Sequence, residues 1–266
     1  MANLTNKVIW LTGASSGIGE ALAYALARKN TKLILSARRK EELERVKGNC
    51  PVEVQPNIRV LPIDLAEAST LKLSTEAAIQ IFGHIDILIN NGGIGQRSLI
   101  KDTSLDVDRK VMEVNYFGAI ALTKYVLPHF IKRKGGRFVT VSSLTGKFGT
   151  PYRSGYAASK HALHGFFDTL RTEHYEDQIK VTMICPGFIR TPITVSALTG
   201  DGTPLNQMDN AQSRGKTPEW CAQKIIRAIE KNKQEVYIGG KEVLGVYIKR
   251  FFPGIFAALI RKVNVR

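Results

Sequence analysis

The chain has 266 residues, 44% of them hydrophobic and 8% aromatic, the make-up of an ordinary globular protein long enough to bury a substantial core. Cys50, Cys185 and Cys221 are too scattered for a metal-ligand set or a disulfide framework, and with neither a signal peptide nor the roughly 18 apolar residues of a membrane span in view, a cytoplasmic location is expected. The formal charge of +15 fits an anionic cofactor or an anionic membrane face; nucleic acid is not expected, because aromatic and basic residues are not interleaved and no helix-turn-helix or zinc motif occurs.

In chain order, short apolar runs alternate with longer amphipathic stretches. Strands are predicted at Lys7–Leu11, Lys32–Leu35, Ile58–Pro62, Ile85–Asn90, Gly136–Val141, Lys180–Cys185 and Glu235–Ile238. Most are apolar on both faces, as befits a sheet covered on both sides. Helices are predicted over 17–29, 39–47, 67–82, 106–133, 153–176 and 217–231. This alternation implies an α/β fold. It reads as one Rossmann domain over 1–240, with a doubly wound, seven-stranded parallel sheet and helices on both faces. Two segments break the rhythm: a polar, glycine-bearing stretch at 192–216 and an apolar, basic C-terminal extension at 241–266.

The first strand runs into Thr12-Gly13-Ala14-Ser15-Ser16-Gly17-Ile18-Gly19, on which the first helix opens. Glycines let the backbone turn sharply and approach a pyrophosphate, while the helix N-terminus offers free N–H groups and a partial positive charge. The setting between strand and helix favours a dinucleotide cradle over an ordinary turn. An NAD site carries an acid at the end of the second strand for the ribose 2′-hydroxyl. Here that strand ends Ser36-Ala37-Arg38-Arg39. Guanidinium forks grip phosphate bidentately, and cations at a helix start run against the dipole's preference. The expected cofactor is therefore NADP(H).

Tyr156 and Lys160 lie one turn apart on a predicted helix and share a face. A free phenol titrates near pH 10, roughly, and a neighbouring ammonium favours its ionised form. Tyr156 can then give a proton to a carbonyl oxygen or take one from an alcohol, and Lys160 can also hold the nicotinamide ribose hydroxyls. Ser142 and Ser143 both end the fifth strand, at the ligand-binding edge of an open α/β sheet, and either hydroxyl could steady a substrate oxygen. Asn115 falls inside the predicted helix 106–133, where asparagine is a poor helix former; it marks a kink, a polar surface position or a functional one. His161, His164 and His174 lack acid or cysteine companions at ligand spacing, so they read as surface or packing residues and no metal is expected.

Four features together resemble the short-chain dehydrogenase/reductase family over about residues 5–240. They are the Gly-x-x-x-Gly-x-Gly cradle, Asn90-Asn91-Gly92-Gly93, Tyr156-Ala157-Ala158-Ser159-Lys160 and Pro186-Gly187-Phe188-Ile189-Arg190-Thr191. The resemblance implies hydride transfer between a nicotinamide and a carbonyl or secondary alcohol. It selects Ser143, thirteen residues before Tyr156, over Ser142. It implies that Asn115 distorts its helix and binds a relay water, and that Asp64 touches the adenine. It sets Asn91 and Gly92 by the cofactor, and the Ile189 backbone and Thr191 hydroxyl near the nicotinamide carboxamide. With these, the expected cofactor set is Gly13, Ser15, Ser16, Gly17, Ile18, Gly19, Arg38, Arg39, Asp64, Asn91, Gly92, Tyr156, Lys160, Ile189 and Thr191. Gly92 stands where the family has alanine, which is expected to loosen the loop. Pairing of the long helices 106–133 and 153–176 in the family implies a homodimer or homotetramer. Within the family, Gln96-Arg97-Ser98-Leu99, Asp102-Thr103-Ser104-Leu105-Asp106-Val107 and Ser159-Lys160-His161-Ala162-Leu163 look like the SDR family member 7 enzymes, relatives of 11β-hydroxysteroid dehydrogenases. The N-terminal membrane anchor of those enzymes is not seen in this sequence.

Segment 192–216 is expected to be a mobile substrate cover, with Ile193, Val195, Leu198 and Leu205 as an apolar wall. That points to a lipophilic substrate, steroid-, retinoid- or lipid-like. Tyr247, Phe251, Phe252, Phe256 and Leu259, with Lys249, Arg250, Arg261 and Lys262, form the pattern of a segment in peripheral membrane contact, packed on the domain or closing a dimer groove. Pro253-Gly254 is expected to break its helix. Two other functions fit the cofactor motif, a 3-oxoacyl-thioester reductase and a non-catalytic NADP(H)-sensing protein. The intact Ser143, Tyr156 and Lys160 argue against the sensor.

Overall fold

Seven strands build one parallel sheet: β1 (Val8–Thr12), β2 (Lys32–Ser36), β3 (Ile58–Val60), β4 (Ile87–Asn90), β5 (Gly136–Val141), β6 (Ile179–Pro186) and β7 (Glu235–Ile238). The structure is a computed structural model and describes residues 3–262. The strand order is β3-β2-β1-β4-β5-β6-β7, every neighbouring pair parallel. The order reverses between β1 and β4, so a crevice opens there beyond the strands' carboxyl ends. Every predicted strand is present, with ends differing by one or two residues.

Successive strand residues face opposite sides of the sheet. Ile9, Leu11, Leu33 and Leu35 pack on one face under helices α1 (Gly17–Ala27), α2 (Lys40–Gly48) and α8 (Pro218–Glu230). Val8, Trp10, Ile34 and Leu88 pack on the other, under α3 (Ala68–Phe82), α5 (Gly118–Lys132) and α6 (Ser154–Glu173). Both faces are dry, which is why the strands read as near-continuous apolar runs.

The predicted helix 106–133 is in fact α4 (Leu105–Met112), a π-helical turn at Glu113–Phe117, and α5. Ser104 opens it, its hydroxyl accepting from the Val107 N–H. Asn115 lies at the centre of the π turn, and such bulges place an extra residue where a straight helix could not.

Segment 192–216 has no strand, but it is stitched to the loop after β4. Leu198 N–H donates to Gly95 at 3.0 Å, and Arg97 N–H donates to Leu198 at 2.8 Å. The segment contains one short helix, α7 (Asn210–Ser213). The C-terminal segment is two helices, α9 (Leu244–Phe251) and α10 (Pro253–Ile260), with the break at Phe252 and Pro253 starting the second. Val246 and Phe256 are buried, and the Phe148 and Phe256 rings meet at 5.1 Å, so this segment packs back on the domain. Val263 and the rest of the expected extension lie outside the described residues. No helix among the described residues is long and apolar enough to cross a membrane.

Candidate active site

A single cleft of about 1490 Å³ runs along the carboxyl ends of β1, β2, β4, β5 and β6, larger than the roughly 300–1,000 Å³ of a drug-sized site. One end lies at the cradle. Gly13 and Gly17 have positive φ (64° and 58°), a conformation that excludes most side chains. A Cβ at Gly13 would meet the Gly92 backbone at 2.7 Å and Asn91 Nδ2 at 2.9 Å. Ser16 stands at the N-cap of α1 without spending its hydroxyl there. Ser15, Ser16, Gly17 and Ile18 all line the cleft. Gly19 does not. It is buried, and a Cβ there would collide with the Gly13 carbonyl. Its lack of a side chain lets α1 approach the β1 turn, which sets the shape of the cofactor loop.

Asn91 ties the two central loops together. Its Nδ2 donates to the carbonyls of Thr12 and Gly13, each at 3.1 Å, while Thr12 Oγ1 accepts from the N–H groups of Asn91 and Gly92. Glycine at position 92 leaves its side-chain space to a neighbour. A Cβ there would meet Leu65 Cδ1 at 2.6 Å, so the leucine occupies the room an alanine methyl would need.

Arg38 and Arg39 follow β2, are exposed and line the cleft, and neither forms an ion pair among the described residues. Asp64 lines the cleft nearby, its Oδ1 accepting from the Ala66 N–H. Ile189 and Thr191 line it beyond β6. The Ile189 carbonyl and Thr191 hydroxyl accept from Gln212 Nε2, so α7 holds this loop.

The chemical group sits at the far end. α6 delivers Tyr156 and Lys160 from successive turns of one face. Lys160 is 4% exposed; its Nζ lies 5.6 Å from the Tyr156 ring centroid and donates to the Val141 carbonyl at 2.9 Å. Burial lowers its ammonium to about 8. Ser143 hydrogen-bonds the Tyr156 phenol. Its hydroxyl also accepts from the Thr145 N–H at 3.1 Å and the Thr145 hydroxyl at 2.9 Å. Ser142 Oγ instead donates to the Lys160 carbonyl at 3.1 Å, so geometry separates the two serines. Burial pushes the Tyr156 phenol above its ordinary value; the cations of Arg97 and Arg153 and the Ser143 hydrogen bond pull it back.

Asn115 is buried off the cleft. Its Oδ1 accepts from the Ile94 N–H at 2.8 Å, and its Nδ2 donates to the Ile94 carbonyl at 3.0 Å and to Ser159 Oγ at 3.1 Å. It thus clamps the β4 loop to the helix turn that carries Lys160.

The sequence reading missed several lining groups. Arg97, Arg153 and Gln212 line the cleft, as do Glu242, Ile248 and Phe256 from the C-terminal segment. Ile193, Val195 and Leu198 form wall as expected, but Leu205 does not. Asp209, which holds both arginines, is 112 residues from Arg97, and no local pattern announces the pairing. His161 Nδ1–H donates to the Ala157 carbonyl, and His174 pairs with Asp177, as packing and surface residues do. His164 does gain companions through the fold: Cys185 Sγ at 3.6 Å and Glu235, the three ligand atoms lying within 4.8 Å of one another. Lys147 already pairs with Glu235 at 2.9 Å.

The profile of the family described as short chain dehydrogenase matches residues 7–201. The chain is 46% identical over 255 residues to dehydrogenase/reductase SDR family member 7 of Homo sapiens, covering 94% of this chain and 75% of that one. It is 42% identical to an SDR family protein 7-like sequence of Anopheles gambiae, covering 98% and 84%. Among solved structures, a short-chain dehydrogenase from Streptomyces avermitilis superposes with a TM-score of 0.81 at 26% identity, over 97% of this chain and 96% of that one. A second, from Burkholderia phymatum in complex with NAD, superposes with a TM-score of 0.83 at 20% identity, over 100% and 98%.

Proposed function

The chain belongs to the short-chain dehydrogenase/reductase family, and we propose that it is an NADP(H)-dependent oxidoreductase acting on a carbonyl or secondary alcohol of a largely apolar substrate. The observation that carries this reading is the convergence of Ser143, Tyr156 and Lys160 at one end of a cleft whose other end is a glycine cradle. The cleft fits a phosphorylated dinucleotide. A side chain at Gly13 would collide with the Gly92 backbone and one at Gly17 would meet Thr191, the α1 N-terminus faces the cradle, and Arg38 and Arg39, without an ion pair among the described residues, suit a 2′-phosphate. When bound, NADP(H) supplies or accepts the hydride.

The protein's own groups handle the proton. Tyr156 Oη donates to the nascent alkoxide oxygen in reduction and accepts from the hydroxyl in oxidation. Ser143 orients that oxygen and stabilises the charge that develops on it. Lys160 holds a positive charge beneath the phenol ring and favours the phenolate after the proton has left. Asn115 keeps the β4 loop and the Lys160 turn in register.

Two further elements belong to this reading. Leu105, Phe117 and Tyr125 are exposed along α4, the π turn and α5, which supports a homodimer or homotetramer paired through these helices. Tyr247, Phe251, Phe252 and Ile255 are exposed on the C-terminal helices beside Lys249 and Arg250, which supports peripheral contact with an anionic membrane face from the cytoplasmic side. The test is NADPH oxidation with a panel of steroids, retinoids, aldehydes, sugars and acyl thioesters. Turnover with one lipophilic carbonyl class is the expected result. Turnover with acyl thioesters alone would replace this reading by a thioester reductase, and tight NADPH binding without turnover would replace it by a sensor.

A further inference from the structure

Two arginines that share one carboxylate line the cleft together with Tyr156. Asp209 Oδ2 accepts from Arg97 Nε at 2.8 Å and from Arg153 Nη2 at 3.1 Å. Arg97 Nη1 also donates to the Gln96 carbonyl at 2.8 Å, and the Arg153 guanidinium lies over the Phe188 ring at 5.9 Å. Both arginines are buried, at 5% and 4% exposure, and both line the cleft with Tyr156.

The charges do not balance. Two guanidinium groups face one carboxylate, and neither arginine pairs with any other acid among the described residues. An excess positive charge in a buried place is costly unless something compensates it. If tethering segment 192–216 were the only purpose, Arg97 and Asp209 would suffice, because that neutral pair already joins the β4 loop to the residue before α7. Arg153 then adds a charge and no further tether. It reaches the cluster from the turn before α6, three residues ahead of the catalytic tyrosine. Arginine carries five N–H donors, and Arg153 directs one of them, on Nη2, to Asp209.

We propose that the Arg97–Asp209–Arg153 cluster is a recognition site for a carboxylate on the substrate, which makes the substrate a carbonyl- or hydroxyl-bearing organic acid with an apolar body. The excess charge is one, which a carboxylate monoanion cancels. The guanidinium fork matches the planar geometry of that group. Ile193, Val195 and Leu198 supply the apolar wall for the rest of the molecule. This inference rests on the oxidoreductase reading for its word "substrate", but the anion site itself can be tested without turnover.

The experiment is calorimetric titration of the NADP⁺-loaded protein with decanoate and with decanol, the same chain without the charge. Decanoate is expected to bind at least about tenfold more tightly, the worth of one buried charge-assisted hydrogen bond. Arg153→Gln leaves Arg97 and Asp209 as a neutral pair, so decanoate and decanol should then bind alike. Arg153→Lys keeps the charge and should retain part of the preference. NADP⁺ affinity, read by titrating each cofactor-free variant with NADP⁺, reports that the variant is folded. Equal binding of decanoate and decanol by the unaltered protein overturns the proposal, as does an undiminished preference in Arg153→Gln. Decanoate selectivity without NADPH oxidation by any carbonyl would sink the oxidoreductase reading and leave the anion site standing. Turnover of neutral carbonyls without decanoate selectivity would do the reverse.

Discussion

Replacing Lys160 by methionine should make the cofactor-free protein more stable near neutral pH, and less so as the pH rises. Lys160 is buried against the Tyr156 ring, and burial lowers its ammonium from 10.5 to about 8. The unfolded chain therefore holds this proton more tightly than the folded one, and stability rises with pH between about 8 and 10.5. At neutral pH the folded protein carries a buried charge that costs about 3 kcal/mol, taking about 1.4 kcal/mol per pH unit. Methionine fills a similar volume without the charge. The exchange leaves the Val141 carbonyl without its donor, at a cost of about 1 kcal/mol, so the net gain is about 2 kcal/mol. Near pH 9.5 the native amine is mostly neutral and the cost falls to about 1 kcal/mol, which cancels the gain. Urea unfolding of both proteins, at about pH 7 and about pH 9.5, reads the difference directly. Tyr156, Cys185 and the other titrating groups are common to both proteins and largely cancel. A methionine variant no more stable than the parent at neutral pH, or a difference that does not change with pH, would refute the reasoning.

Tyr156→Phe should keep NADPH affinity and lose about 10²- to 10⁴-fold in kcat, because only the proton donor is removed; single-turnover NADPH oxidation measures it, and retained turnover would exclude Tyr156 as the donor. The Arg38→Ala, Arg39→Ala double variant should weaken NADPH by roughly 10- to 100-fold, since both guanidiniums are exposed and partly screened by solvent, while NADH is little changed. Fluorescence titration with each cofactor decides this, and equal losses would remove the arginines from the 2′-phosphate. Gly92→Ala should cost about 1–3 kcal/mol through contact with Leu65 Cδ1, and Leu65→Val should recover part of it. Thermal melts of the two single variants and the double one test the coupling, and simple additivity would show that the methyl finds room elsewhere.

The sheet was legible because its signal is local and repeated. Residues such as Ile9, Trp10, Leu33 and Ile34 are apolar on both faces, and each run is bounded by a helix pattern. The cradle and the Tyr156–Lys160 pair were legible for the same reason: each is a short motif with its geometry built in by helix or strand period. What sequence could not yield was anything made by long-range closure. Asp209 meets Arg97 and Arg153 across 112 and 56 positions, Gln212 holds Ile189, and Leu65 fills the space above Gly92. The C-terminal segment left membrane contact, packing on the domain and a dimer groove all open, because its local pattern does not say that Phe256 seats on Phe148 and lines the cleft.

The placement of cations explains how a phenol buried at one end of the cleft can remain reactive. An apolar site strengthens every charge interaction within it, but it also pushes a phenol away from ionisation, and Tyr156 shows that rise. Water cannot be readmitted to relieve it without screening the charges that guide the reaction. The protein instead sets positive charge around Tyr156: Lys160, 5.6 Å from the ring centroid, and Arg97 with Arg153, whose charges pull the phenol back. Each is itself destabilised by burial, Lys160 to about 8 and Arg153 to about 10. The phenol's reactivity thus depends on two strained cationic groups rather than one. Their roles separate by what they touch: Lys160 is fixed to the Val141 carbonyl inside the fold, whereas Arg153 retains donors beside the space a substrate enters. A bound carboxylate would neutralise the second group, weaken its pull on Tyr156 and so make the phenol a better keeper of its proton until the carbonyl oxygen demands it. Charge recognition and proton transfer would then be coupled through Arg153, with the acid form of Tyr156 favoured when the substrate anion is in place.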